Sequence, residues 1–407
     1  MRLIVLTPFI PLEGSSHGGG VYLHALLGAL ARRVEIGLIA LCTAAEREEA
    51  RPERLPPGCA VTPVRRLSRR DPGPWGGLRD KLHTAWGFGV LGLPVAVAKW
   101  RSTALVGALR GEIQRCRPDA VLVEMTLMGQ YLDACGAVPT VLTDHEAATP
   151  VPAGVLPFGI GAGSERRHWQ RYLDAILSRA DLLQALNEDD AETLRRRCGR
   201  AVAVRPPAVP VPPARVEPEH APRRLLFLGD YSHPPNREAA IHLASEILPR
   251  VRRSSPDASL VLAGDHAPAT VLALAEIPGV EVAGLVPDLA ALLGSGRALV
   301  APLFSGGGSR IKVMTALAHG LPVVANALAA RGIDAPPPAL TLAESPAQFA
   351  ERCAGLLTHD DSARAASVAA RGWAERNISA DHAAAVQLAA IEELLRRRSE
   401  RPRSGPA

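Results

Sequence analysis

Short β-rich runs alternate with amphipathic stretches along this chain. The alternation stops once, at a proline-dense segment, and then starts again. In the first half "RLIVLTP" (Arg2–Pro8) is a strand candidate, followed by a loop with Gly18, Gly19 and Gly20. The amphipathic run "VYLHALLGALARR" (Val21–Arg33) and the strand-like "VEIGLIAL" (Val34–Leu41) come next. "DAVLVEM" (Asp119–Met125) and "PTVLTD" (Pro139–Asp144) read as buried strands, and 166–180 and 187–198 as helices. Strands alternating with helices predict a parallel sheet covered on both faces.

The interruption is "RPPAVPVPPARVEPEHAP" (Arg205–Pro222), with seven prolines in 18 residues. Proline removes a donor and fixes φ, so this stretch reads as an extended, semi-rigid linker. After it "RRLLFLGD", "ASLVLAGD", "VEVAGLV", "RALVAPL" and "LPVVAN" continue the strand series. "DHAAAVQLAAIEELLRRR" (381–398) closes the pattern as a helix, and the residues beyond it read as a frayed tail. The expected organisation is an α/β chain of two doubly wound domains, 1–205 and 223–380, joined by 206–222. Ligands of such sheets sit at the carboxyl ends of the strands, so function is expected in the loops that follow them.

Composition narrows the classes. With 47% hydrophobic and 21% charged residues, the 407-residue chain suits globular domains. No apolar run reaches the length of a membrane span, and the start reads as a first strand rather than a signal peptide. Cys42, Cys59, Cys116, Cys135, Cys198 and Cys353 lack metal-ligand spacing; they predict reduced thiols, a cytoplasmic protein, and neither disulfide frame nor metal site. A net charge of +5 is too mild to imply nucleic acid. Only Lys81, Lys99 and Lys312 of the 46 basic residues are lysines.

Lys312 stands in "SGGGSRIKVMTALAHGLPVV" (Ser305–Val324), directly behind a strand. Gly306, Gly307 and Gly308 permit close backbone approach, and Ser309 is a natural N-cap for a helix to about His319. Ile311, Met314, Leu317 and Ala318 form its apolar side. Arg310 and Lys312 fall in the first turn, where cations cost about 0.3–1 kcal/mol each. An anion that repays this cost is the expectation, and a helix start suits phosphate. A solvated flexible turn is the plainer alternative. The Walker pattern G-x-x-x-x-G-K-[ST] is absent.

"APLFSGGGSRIKVMTALAHGLPVVAN" resembles the donor-site segment of GT-B fold glycosyltransferases of the group 1 (family 4) class, in a G-G-G-x-R-x-K form. "LLFLGDYSHPPNREAAIHLASEILPRV" is similar to the opening of their second domain. The likeness is strong over 223–330 and diffuse over 1–205. It implies two Rossmann-like domains facing a cleft, the first for the acceptor and the second for a nucleotide sugar. The last helix is expected to cross back onto the first domain. Transfer with retention and without a metal or other cofactor is implied. So are Arg310 and Lys312 as phosphate-binding, catalytic residues. Two departures stand out. Gly307 and Thr315 occupy positions where many members carry glutamates, and Asp230 stands where many have an arginine.

The same resemblance makes His145, in "TDHEAA", a catalytic candidate beside the transferred sugar. Asp144 and Glu146 are candidates to position or deprotonate an acceptor hydroxyl, or else a turn cap. Gly19 and Gly20 are placed at the cleft, with His17 more readily solvated than catalytic. Glu124 ends "AVLVE" and either faces the acceptor or caps its strand. His233 is a phosphate or sugar contact or a turn residue, and Val286 lies where members hold the base through backbone groups. Acceptors implied are a glycan, a lipid-linked sugar or a small molecule, as in bacterial polysaccharide or glycolipid synthesis.

Residues 65–100 are the least globular in pattern. Arg65, Arg66, Arg69 and Arg70 precede an apolar stretch with Trp75, Trp86 and Phe88. Either peripheral contact with the inner face of a membrane or ordinary helices of the acceptor domain explains them. A nucleotide-sugar epimerase on the same fold and a non-catalytic nucleotide-sugar binder remain the functional alternatives. A Rossmann dehydrogenase would want G-x-G-x-x-G, which is missing.

Overall fold

The computed structural model describes residues 1–15, 18–68, 76–145, 162–305 and 310–400. The chain divides into two compact units, Met1–Pro207 with Ala383–Ala407, and Ala208–His382.

The first unit is built on seven parallel strands: β1 (Arg2–Thr7), β2 (Glu35–Cys42), β3 (Cys59–Arg65), β4 (Ala120–Glu124), β5 (Thr140–Asp144), β6 (Leu182–Ala185) and β7 (Val202–Val204). Their order is β3-β2-β1-β4-β5-β6-β7. The second unit has six: β8 (Arg224–Leu228), β9 (Ser259–Ala263), β10 (Val280–Gly284), β11 (Ala298–Ala301), β12 (Val323–Ala325) and β13 (Leu340–Leu342), ordered β10-β9-β8-β11-β12-β13. All its pairs are parallel too. The central strands are covered on both faces, so apolar residues dominate them, and every residue of β4, β5 and β11 is buried. The order reverses between β1 and β4 in one sheet and between β8 and β11 in the other. A crevice opens at such a reversal, beyond the carboxyl ends of the two strands.

The expected strands are present. Four more, β3, β6, β7 and β13, were not anticipated. Three of these are sheet edges. The β3 strand carries Pro63 and is half-exposed, which an edge allows and a central position does not. The β7 and β13 strands are three residues each, and β6 is four residues with the polar Gln184 inside it.

Two local expectations are corrected. Gly18, Gly19 and Gly20 are the first turn of the helix Gly18–Ala31 rather than a loop ahead of it. Packing of Tyr22, Leu23, Leu26 and Leu27 outweighs glycine's poor helix propensity of about 1 kcal/mol per residue. The proline-rich segment is not a bare spacer either. Val209 N donates to Ile378 O at 2.8 Å and Val216 N to His319 O at 2.7 Å. These two amides fasten the segment to the second unit. From Ala383 onward the helix Ala380–Glu400 belongs to the first unit, where Arg398 donates to Ala137 O at 2.7 Å.

Candidate functional site

In the second unit, the loops after β8 and β9 both read Gly-Asp. The two backbones nearly touch: a Cβ on Gly264, whose φ is +148°, would stand 1.7 Å from Gly229 O. Tyr231 N donates to Asp265 O at 2.9 Å and ties the loops together. Asp230 Oδ1 accepts from Ser232 N at 2.8 Å and lies 3.2 Å from His266 Nδ1. Burial opposes the Asp230 charge, but those partners hold its carboxyl below the ordinary range. Asp230 O in turn accepts from Asn236 Nδ2 at 2.7 Å. Asn236 stands in the first turn of the helix Pro234–His242, against Gly229.

Asn236 Oδ1 then accepts from Lys312 Nζ at 2.6 Å. Lys312 is in the first turn of the helix Ile311–Ala318, which follows β11. Its ammonium also lies 4.7 Å from the centroid of the Phe227 ring. Among the described residues no carboxylate pairs with it. Desolvation, with Arg310 adding repulsion, pushes its pKa down to about 7. A desolvated cation without a counter-ion is costly. The Lys312 side chain is half-buried and sits beside the strand-order reversal between β8 and β11. Gly264→Ala tests this scaffold. We expect it to cost the second unit about 1–3 kcal/mol by overpacking, seen as a lower midpoint in denaturant unfolding. An unchanged midpoint would contradict the close approach.

Arg310 is buried, and its Nε donates to Leu328 O at 3.1 Å. It takes the cap position of the helix expected to start from Ser309, with no side-chain capping bond. Gly306, Gly307, Gly308 and Ser309 lie outside the described residues, as do His17 and Glu146. Thr315 is buried in the helix. His233 is exposed at the start of its helix, and Val286 packs against the unit's core.

The first unit gathers a polar cluster at the carboxyl ends of its strands. Glu124, at the end of β4, is fully buried and does not present a carboxylate outward as one reading of the sequence had it. Its Oε1 and Oε2 accept from Arg205 Nη2 at 3.0 and 2.9 Å, and Oε2 also from Tyr22 Oη at 2.7 Å. His145 Nε2, just past β5, lies 2.9 Å from the same oxygen and 2.9 Å from Tyr22 Oη. Arg205, just past β7, is fully buried as well. Burial would raise the Glu124 pKa; the Arg205 charge and the bonds from His145 and Tyr22 reverse this and hold it well below the ordinary range. An ionised carboxylate only accepts, so His145 carries its proton on Nε2 and keeps its lone pair on Nδ1 when neutral. Asp144, beside it, ends β5 and is buried.

Residues 222–359 match the family model described as glycosyl transferases group 1. The second unit is a group 1 glycosyltransferase domain. The enzyme class follows from that domain, and the whole chain has the GT-B fold. It is similar to sucrose-phosphate synthase from Thermosynechococcus elongatus, at 17% identity and a TM-score of 0.68, over 98% of this chain and 100% of that one. It is also similar to the Anabaena protein HepE, solved in complex with UDP and glucose, at 13% identity and 0.62, over 97% and 99%. A glycosyltransferase from Rickettsia africae gives 13% and 0.61, over 97% and 98%. No curated protein matches the chain in sequence.

Three participants in the glycosyltransferase scaffold escaped sequence reasoning. Asn236 follows two prolines at a helix start that gives it no polar cue, although its place after a Gly-Asp strand end is a usable signal. Tyr22 sits inside an apolar helix pattern that gives it no polar cue. Arg205 opens the proline run and reads as linker.

Proposed function

We propose that the chain transfers a glycosyl group from a nucleoside diphosphate sugar to a hydroxyl of a glycan acceptor, with retention at the anomeric carbon and without a metal. The observation that carries this reading is the half-buried, desolvated ammonium of Lys312, which has no carboxylate partner among the described residues, in a group 1 glycosyltransferase domain. In it the second unit takes the donor. Lys312, with Arg310 beside it, meets the diphosphate and stabilises the charge that grows on it as the glycosidic bond breaks. Fixed charges in a water-poor site act most strongly at that moment. The helix start behind the glycine run adds its unpaired N–H groups. The first unit takes the acceptor, and His145, held by Glu124 and Tyr22, is its candidate contact to a sugar hydroxyl.

The test is a panel of uridine, guanosine, adenosine and thymidine diphosphate sugars, with nucleoside diphosphate release followed with and without glycan acceptors. Acceptor-dependent release from at least one donor is the expected result. Isomerised donor formed without acceptor would replace the reading with an epimerase. Binding of a donor without turnover under any acceptor would leave a nucleotide-sugar binder, consistent with Gly307 and Thr315 in place of carboxylates.

A further inference from the structure

The helix Gly76–Gly89 carries an apolar stripe on its outer face. Its inner face holds Asp80, Thr84 and Phe88, spaced one turn apart and all buried. Its outer face holds Leu78, Leu82 and Trp86, likewise one turn apart, at 46%, 61% and 48% exposure. Val90 and Leu91, just past its end, continue the exposed apolar surface. A helix on an ordinary globular domain turns its apolar stripe to the core. An exposed contiguous stripe of this kind marks an interaction surface.

The charges around it are sorted by sign. The ring of Phe88 packs 4.4 Å from that of His168, and Glu165 accepts from Val95 N at 3.0 and 3.2 Å. These contacts bring the start of the helix Ala162–Arg179 alongside. The two acids of this corner, Asp80 and Glu165, are both buried. Arg79, Lys81, Arg166 and Arg167 are exposed, and the Arg101 guanidinium lies 5.9 Å from the Trp86 ring. Among the described residues the surface therefore offers apolar side chains, a tryptophan and cations, with the carboxylates Asp80 and Glu165 withdrawn.

We infer that the outward face of the helix Gly76–Gly89 docks on an anionic lipid bilayer. Leucines and a tryptophan enter the interface between headgroups and acyl chains, and the flanking basic residues meet lipid phosphates. A second copy of the chain fits less well, because it would bring the same cations to the contact. The attachment is peripheral: no helix among the described residues is long and apolar enough to cross a membrane. This inference does not depend on which sugar is transferred.

Co-sedimentation of the full chain with phosphatidylcholine vesicles, with and without phosphatidylglycerol, tests it. Binding should require phosphatidylglycerol and weaken with salt. Leu82→Glu combined with Trp86→Glu should lower the partition at least about tenfold. Arg79→Gln and Lys81→Gln should each lower it about fivefold. Both changes lie on exposed positions, so the thermal midpoint and turnover of a water-soluble acceptor should hold. No partition of the wild type into phosphatidylglycerol vesicles, or equal partition by all variants, would overturn the inference. So would a dimer in sedimentation velocity that Leu82→Glu/Trp86→Glu dissolves, since that assigns the face to a second copy.

Discussion

Replacing Lys312 with methionine should lower kcat/KM for the donor by about 10²–10³-fold, the usual cost of removing one group aimed at transition-state charge. The same change should leave folding stability equal or higher. The side chain is half-buried and desolvated, with one hydrogen bond among the described residues, to Asn236, and an aromatic ring beneath it. Methionine keeps the volume and the ring contact and removes an uncompensated charge. A loss of activity with no loss of midpoint separates a ligand-binding role from a structural one. Steady-state kinetics and thermal unfolding on the same preparation decide it, and unchanged kinetics would remove Lys312 from the site.

The pH dependence follows from the same geometry. In the empty site Lys312 is held near a pKa of about 7, against 10.5 ordinarily. A bound diphosphate favours the ammonium and raises that value. Below pH 7 the empty site is already protonated, and donor affinity is flat with respect to this group. Above pH 7 binding must take up a proton, so affinity falls as pH rises, by up to about tenfold per unit. Titration calorimetry in buffers of different ionisation enthalpy reads that proton directly. In Lys312→Met both the uptake and this pH limb should vanish.

The second large effect concerns the first unit. Glu124→Leu should cost about 3–5 kcal/mol, because it leaves Arg205 fully buried without its counter-ion. Two of its nitrogens, Nε and Nη1, already find no partner among the described residues. Glu124→Leu with Arg205→Met should recover most of the loss, as replacing both members of a buried pair commonly does. The pair also sets an acid limit. A carboxylate whose pKa is lowered on folding contributes stability above its unfolded value, and loses it as pH falls toward its folded value. For Glu124 that window runs from about 4.5 down to about 2. Denaturant midpoints measured down this window should fall in the wild type and flatten in the double variant. Equal acid sensitivity in both would mean that other carboxylates set the limit.

His145 gives the network a second consequence. If its lone pair on Nδ1 serves transfer, the double variant should fold and still turn over slowly, because only the Tyr22 hydroxyl, which can donate or accept, then faces Nε2 and the tautomer is no longer fixed.

Much of this architecture was legible because buried parallel strands announce themselves. "LIVL" in β1, "AVLV" in β4 and "ALVA" in β11 are apolar without interruption, since both faces are covered. Edge strands lack that signature: Pro63 and the half-exposed alternation of β3 look like loop composition. Lys312 was legible because a rare lysine stood in the wrong end of a helix. Its partner Asn236 was not, because their approach depends on two helices after different strands. Glu124 shows the limit of position-based reasoning. A strand end predicts a loop-facing carboxylate, and only the fold reveals that Arg205, 81 residues later, has closed over it.

The division of the chain has a temporal side. The first unit begins at Met1, pauses at Pro207 and resumes only at Ala383, with the whole second unit inserted between. A piece cut at Pro207 therefore lacks part of its own unit. In N-to-C synthesis the unit that starts first is the last to have all of its residues. Until the final helix emerges, its docking surface stays uncovered.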